Sequence, residues 1–158
     1  MTGSAVKPRT GGISFALGLL VAAISVMVGH YFLIVVLAAS FDTEAGNPFG
    51  SRLLQAGIPV VILAGVLYGV LLTFRNKTKR PLELSIGKAI SWTFVFVLAF
   101  CLASGQILLQ DFSFSSAHGW FALIHAVPAI PLALALITIG IVLHRLLLRS
   151  LARMARLA

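Results

Sequence analysis

Polar and apolar positions divide the chain into four long apolar segments joined by short polar connections. The segments run from Ile13 to Ala39, Leu53 to Phe74, Ala89 to Leu109 and Trp120 to Leu143. Each has at least the roughly 20 residues that a helix needs to cross about 30 Å of hydrocarbon. A helix is the element such a run predicts, because a backbone without water must satisfy its own N–H and C=O groups. The connections, Ser40 to Arg52, Arg75 to Lys88 and Gln110 to Gly119, are too short to hold a second domain. They also force sequential helices to lie side by side. The expected fold class is therefore all-α, a polytopic integral membrane protein built as an antiparallel four-transmembrane-helix bundle. Residues 1–158 form a single transmembrane domain, of which 144–158 are a basic amphipathic helical extension at the cytoplasmic interface.

Composition points the same way. With 59% hydrophobic residues, 10% charged residues and a mean hydropathy of +1.06, a soluble domain of 158 residues would leave apolar surface with nothing to cover it. The net charge of +8 would suggest nucleic acid in a soluble protein. Here the cations gather at helix ends, where the positive-inside bias accounts for them, and no nucleic-acid partner is expected. Lys7 and Arg9 precede the first segment, Arg75, Lys77, Lys79, Arg80 and Lys88 lie between the second and third, and Arg145, Arg149, Arg153 and Arg156 follow the fourth. The opposite connections carry Asp42, Glu44 and Asp111, with Arg52 as their one basic residue. Both sets of connections predict a multi-pass protein of the plasma (inner) membrane with both termini cytoplasmic. The first segment reads as an uncleaved span, because its 27 residues exceed the roughly 7 to 15 of a signal-peptide core. Thr2 in place of Gly and the position of Cys101 inside the third segment give no lipidation signature and no intramolecular disulfide.

Small residues recur at helical spacing, which lets membrane helices approach closely. The first segment has Gly18, Ala22, Ser25 and Gly29, and the fourth repeats the spacing with Ala122, Ala126, Ala129 and Ala133. The second offers Gly65 and Gly69, the third Ala99 and Ala103. Beyond the fourth segment, Arg145, Arg149, Arg153 and Arg156 step by four, four and three, which aligns them on one helical face beside Leu147, Leu148, Leu151, Met154 and Leu157. Such a face meets anionic lipid head groups or an acidic partner surface.

Chemistry has few parts to work with. No Asp or Glu lies in any apolar segment, which removes the usual carriers of a proton or cation path. There is no converging Ser, His and acid set, no phosphate-binding glycine loop and no Cys/His zinc spacing. The histidines remain. His30 sits near mid-depth in the first segment, His125 about 8 Å below the start of the fourth, and His118 at the outer surface. His144 lies at the cytoplasmic end without a histidine to pair with. Gln106, Gln110, Pro59, Pro128 and Pro131 also gather in the outer half, so a buried site is expected there.

Three functions follow from these residues. The first is a small non-catalytic accessory or structural subunit of a larger inner-membrane complex, with anionic lipids and other membrane subunits as partners. The second is an electron-transfer subunit of quinone or cytochrome type holding one b-type haem between His30 and His125 or His118, since neutral imidazole is a good axial ligand. On the expected boundaries, His30 and His125 differ in depth by roughly 7 Å, which works against that pairing. The third is a small oligomeric transporter or channel lined by hydroxyls and histidines.

The charge pattern generates a topology test. Cysteine labelling or reporter fusion should place Ala5, Thr78 and Ala158 on the cytoplasmic side and Asn47 and Ser115 outside. An externally accessible C-terminus would contradict this orientation.

Overall fold

The computed structural model describes residues 11–41, 48–77, 84–109 and 116–157. Four helices occupy them: α1 (Gly11–Phe41), α2 (Pro48–Lys77), α3 (Ile86–Leu109) and α4 (Ser116–Leu157). Each contains a stretch long and apolar enough to cross a membrane, with mean hydropathies from 1.9 to 2.5. Lys7, Arg9, Lys79, Arg80, Asp42, Glu44 and Asp111, on which the orientation rests, lie outside the described residues. The expected segments fall inside the helices, and each helix starts before its apolar run, by two to five residues. α4 carries the expected extension. It runs unbroken for 42 residues, so the extension continues the fourth helix as far as Leu157.

α1 is the centre of the structure. Within the apolar stretch of α1, 56% is buried, against 22% in α3 and α4 and 6% in α2. The other three helices all pack on α1, and α3 also packs on α4. The residue pairs that meet give the chain directions. Gly12 faces Leu71 and Gly57 faces Met27, so α1 and α2 run in opposite senses. Gly18 faces Trp92 and Thr93 while Val26 clusters with Cys101, so α1 and α3 run in the same sense. Leu17 touches Gly140 and Gly29 touches Ala129, which reverses α4 against α1.

Backbone approach makes α1 central. A methyl group added at Gly18 would lie 2.7 Å from Trp92 Cβ and 2.9 Å from the Thr93 nitrogen, and one at Gly29 would lie 3.2 Å from the Ala129 nitrogen. Side chains at these places would push α3 and α4 away. Ala22 and Ser25, also in the stripe, are fully buried, and Ala129 and Ala133 of α4 meet it. The other two stripes behave differently. Gly65 and Gly69 have no neighbouring atom within 4 Å of an added methyl, and Ala99 is exposed. Helical spacing of small residues marks a face that can pack, and only neighbouring helices decide which face does.

Two apolar clusters fill the interior. One joins Ala22, Val26, Val97, Cys101, Ala129 and Ala133; the other joins Leu17, Val21, Ala89, Ile137 and Ile141. Cys101 is a buried member of the first. Phe15 of α1 meets Trp92 and Phe96 of α3 edge to face, with ring centroids 5.1 and 5.2 Å apart. Trp92, Phe96 and Phe100, at steps of four, continue that contact as stacked rings. Edge-to-face and offset geometries suit the ring quadrupoles.

Ser14 donates to the Ser85 carbonyl at 3.3 Å, just before α3, while other hydroxyls are satisfied within their own helices. Ser25 donates to the Val21 carbonyl at 2.6 Å, Thr93 to Ala89 at 2.8 Å, Ser104 to Cys101 at 2.7 Å and Thr138 to Leu134 at 2.8 Å. Hydroxyl bonds back to the preceding turn are the cheapest way to hold these groups without water.

Crowding and open space should separate in mutants. Gly18→Ala should cost roughly 1–3 kcal/mol as an overpacked contact, whereas Gly65→Ala should be neutral or stabilising by up to about 1 kcal/mol, the helix-propensity gain. Equilibrium unfolding in mixed micelles measures both, and equal effects at the two glycines would refute the packing described.

Candidate functional site

Among the described residues, two side-chain pairs link helices inside this apolar structure, one towards each end. The first joins α1 to α4. His30 Nδ1 lies 2.5 Å from His125 Nε2, and the rings are nearly parallel, with centroids 4.7 Å apart and planes 7° apart. Both side chains are buried, at 6% and 2% exposure. Gly29 brings the pair together: its missing side chain lets α1 reach the Ala129 backbone one position before His30.

The hydrogen-bond geometry assigns the protons. His125 Nδ1 lies 2.7 Å from the carbonyl oxygen of Phe121, which can only accept, so Nδ1 carries the hydrogen. In a neutral ring Nε2 of His125 is then an acceptor, and His30 Nδ1–H donates to it. His30 Nε2 is left as a buried acceptor without a hydrogen-bond partner among the described residues. The chain of donors therefore runs from His30 through His125 to the α4 backbone.

His30 and His125 do not stand at different depths, as the expected boundaries implied. α4 begins at Ser116, four residues before Trp120, so His125 lies nine residues, about 14 Å, inside its helix. His30 lies eleven residues, about 16 Å, from the end of α1 at Phe41. Those levels match. His118 is in the first turn of α4, and its side chain lies outside the described residues.

Haem does not fit between these two rings. His30 and His125 would hold a haem only with the iron between their ring nitrogens. Here the nitrogens share one hydrogen, and the helices touch at Gly29 and Ala129, the next position on α1. The arrangement is a direct interhelical hydrogen bond. Among the described residues, no three of His, Cys, Asp and Glu come together as a metal-holding group.

The second pair lies at the other end, where the sequence offered only hydroxyls, Lys88 and a lone histidine. His144 of α4 is 2% exposed, and its Nδ1 lies 2.5 Å from the hydroxyl oxygen of Tyr68 on α2. The rings meet edge to face with centroids 6.0 Å apart. Buried polar chemistry is thus not confined to the half holding His30. Tyr68 escaped the sequence reading because a single tyrosine in an apolar run carries no spacing signal. Its neighbours Gly65 and Gly69 drew notice for packing that they do not provide.

Arg145, Arg149 and Arg153 are exposed, and the side chain of Arg156 lies outside the described residues. α4 packs through His125, Ala129, Ala133, Ile137, Ile141 and His144. At 3.6 residues per turn, Arg145, Arg149 and Arg153 stand roughly 100°, 140° and 180° around the helix from the buried His144. Arg149 and Arg153 therefore point away from the packed side, and Arg145 lies at its edge.

The histidine bond predicts energetic coupling. His30→Ala and His125→Ala should each destabilise, and the double variant should lose less than their sum by roughly 0.6–1.7 kcal/mol, the range of interhelical hydrogen bonds in membranes. His144→Ala, at the far end, should add independently to either. A reversible unfolding cycle in mixed micelles reads these terms, and strict additivity of His30 and His125 would refute the bond.

No protein-family model, no curated protein and no solved structure matches this chain.

Proposed function

We propose that this chain is a four-span subunit of the plasma (inner) membrane, both termini cytoplasmic, that packs against larger membrane proteins and does no chemistry of its own. α2 carries this reading. Its apolar stretch, Arg52–Thr73, has a mean hydropathy of 2.2 yet only 6% of it is buried by the rest of the chain. Ile58, Ile62, Leu63, Val66 and Val70 face outward, far more apolar surface than an aqueous face of one helix tolerates. Lipid or another protein must cover it. Along one side of α2 runs a crevice of about 190 Å³ between α1, α2 and α3, bordered by Met27, Gly57, Val60 and Phe100, where a neighbouring apolar chain can seat.

The basic face adds a second contact. α4 carries Arg145, Arg149 and Arg153 past the end of the apolar core, on the side that no other helix covers. In the proposed orientation these guanidinium groups stand at the cytoplasmic surface, next to anionic head groups or acidic subunit surfaces. The interior supports a structural role too: the His30–His125 bond ties α1 to α4 with both rings in direct contact.

Replacing Arg149, Arg153 and Arg156 together by Gln should weaken association with acidic partners or anionic lipid, by roughly 1 kcal/mol per charge. It should leave insertion intact, because Lys7, Arg9 and the Arg75 to Arg80 cluster still set orientation. Co-purification in mild detergent at low and high salt measures this. Unchanged partners and lipids in the variant at both salts would refute the binding role of the face.

A further inference from the structure

The Tyr68–His144 pair stands in a lateral groove. No α2 residue comes within 8 Å of α4, Cα to Cα, so the two helices are walls with α1 as the floor. The space between them has a volume of about 460 Å³ and is bordered by Leu20, Ile24, Tyr68, Ile139, Leu143 and His144. That size is within the roughly 300–1,000 Å³ of small-molecule sites. Apart from the Tyr68 hydroxyl and the His144 imidazole, the residues around it are apolar. The gap between α2 and α4 opens it sideways to whatever covers these helices, which in the membrane reading proposed above is lipid.

Three observations define the occupant. Among the described residues no charged side chain lines the groove, and Arg145 and Arg149 stand on the far side of α4 from Leu147, so the lining itself offers a charged head group no partner. The polar pair is at one end of an otherwise apolar channel, which calls for a neutral hydrogen-bonding head on an apolar tail. Its depth is also set: Tyr68 precedes Arg75 by seven residues, about 10 Å along the helix. That places the head just below the membrane surface and the tail towards Ile24 and Leu136.

We infer that this groove binds a lipophilic quinol, resting on the membrane-spanning reading. A ring hydroxyl of the ligand donates to the Tyr68 oxygen, which stays hydrogen-bonded to His144 Nδ1. The phenol oxygen can accept and donate at once, so the ligand joins the existing bond without breaking it. The tail lies on α1 between the two walls.

The test uses the full chain in phosphatidylcholine nanodiscs after its insertion has been verified by cysteine labelling. The probe is decylubiquinol with a photoreactive diazirine in its tail. Cross-links should map to residues 17–24 and 136–147, and unlabelled decylubiquinol should displace them while dioctanoylglycerol and phosphatidylglycerol should not. Tyr68→Phe keeps the ring and removes the hydroxyl; it should weaken binding roughly fivefold, the value of one hydrogen bond. Ile139→Trp should fill the groove and abolish specific labelling, whereas Ile58→Trp on the outer side of α2 should not. Diffuse labelling of a correctly inserted protein, equal displacement by either lipid, or unchanged affinity in Tyr68→Phe would each overturn the quinol site alone. A chain that does not insert would overturn the membrane reading together with it.

Discussion

The close approach of α1 to its neighbours is the constraint on which the rest of the structure depends. Between helices immersed in lipid there is little hydrophobic driving force, so association rests on dispersion contacts and on a few polar bonds. Both decline steeply with distance. Gly18 and Gly29 remove the side chains that would hold α3 and α4 off, and Ala22 and Ser25 keep the strip between them narrow. The result is an apolar interior formed from Val26, Val97, Cys101 and Ala129 and a histidine pair positioned by the glycine next to it.

Apart from Ser14, which bonds the Ser85 carbonyl before α3, the polar groups of this interior fall into two kinds. Ser25, Thr93 and Ser104 bond to their own helices, which neutralises them without linking anything. The two histidine bonds reach between helices. α4 takes part in both, through His125 towards α1 and through His144 towards α2. One helix of 42 residues therefore ties both ends of the structure together. The two bonds differ in setting: the His30 pair sits where helices touch, so nothing can enter between its rings, while the Tyr68 pair bridges helices whose backbones stay apart. This difference in helix separation, rather than residue type, makes the first a tie and the second a binding feature.

α2 has a distinct place. Its contact with the chain is mainly with α1, and most of its apolar surface looks outward. The open Gly65 and Gly69 and the exposed Ile62 and Leu63 lie on a helix that lacks neighbours on most sides. Arg149 and Arg153 of α4 likewise point away from the packed side. Apolar and basic surfaces are both presented outward, the combination that suits a membrane subunit with neighbours.

Helix number, approximate limits and the presence of a central packing stripe were legible in the sequence, because length and apolarity act locally and a bare backbone has few alternatives to helix. The Gly18 to Gly29 stripe was also readable as a candidate contact, as were His30 and His125 as buried polar groups. Their relation was not. A shift of four residues in the start of α4 moved His125 by about 6 Å and turned two rings at different depths into a hydrogen-bonded pair, too close for the haem that their residue type invited. The same holds for Tyr68 with His144, which are 76 residues apart and joined by no periodicity. Which small-residue stripe packs, which histidine meets which partner and where a groove stays open depend on the distances between helices. Those distances come from side chains on different helices fitting together, and no local pattern along one helix encodes them.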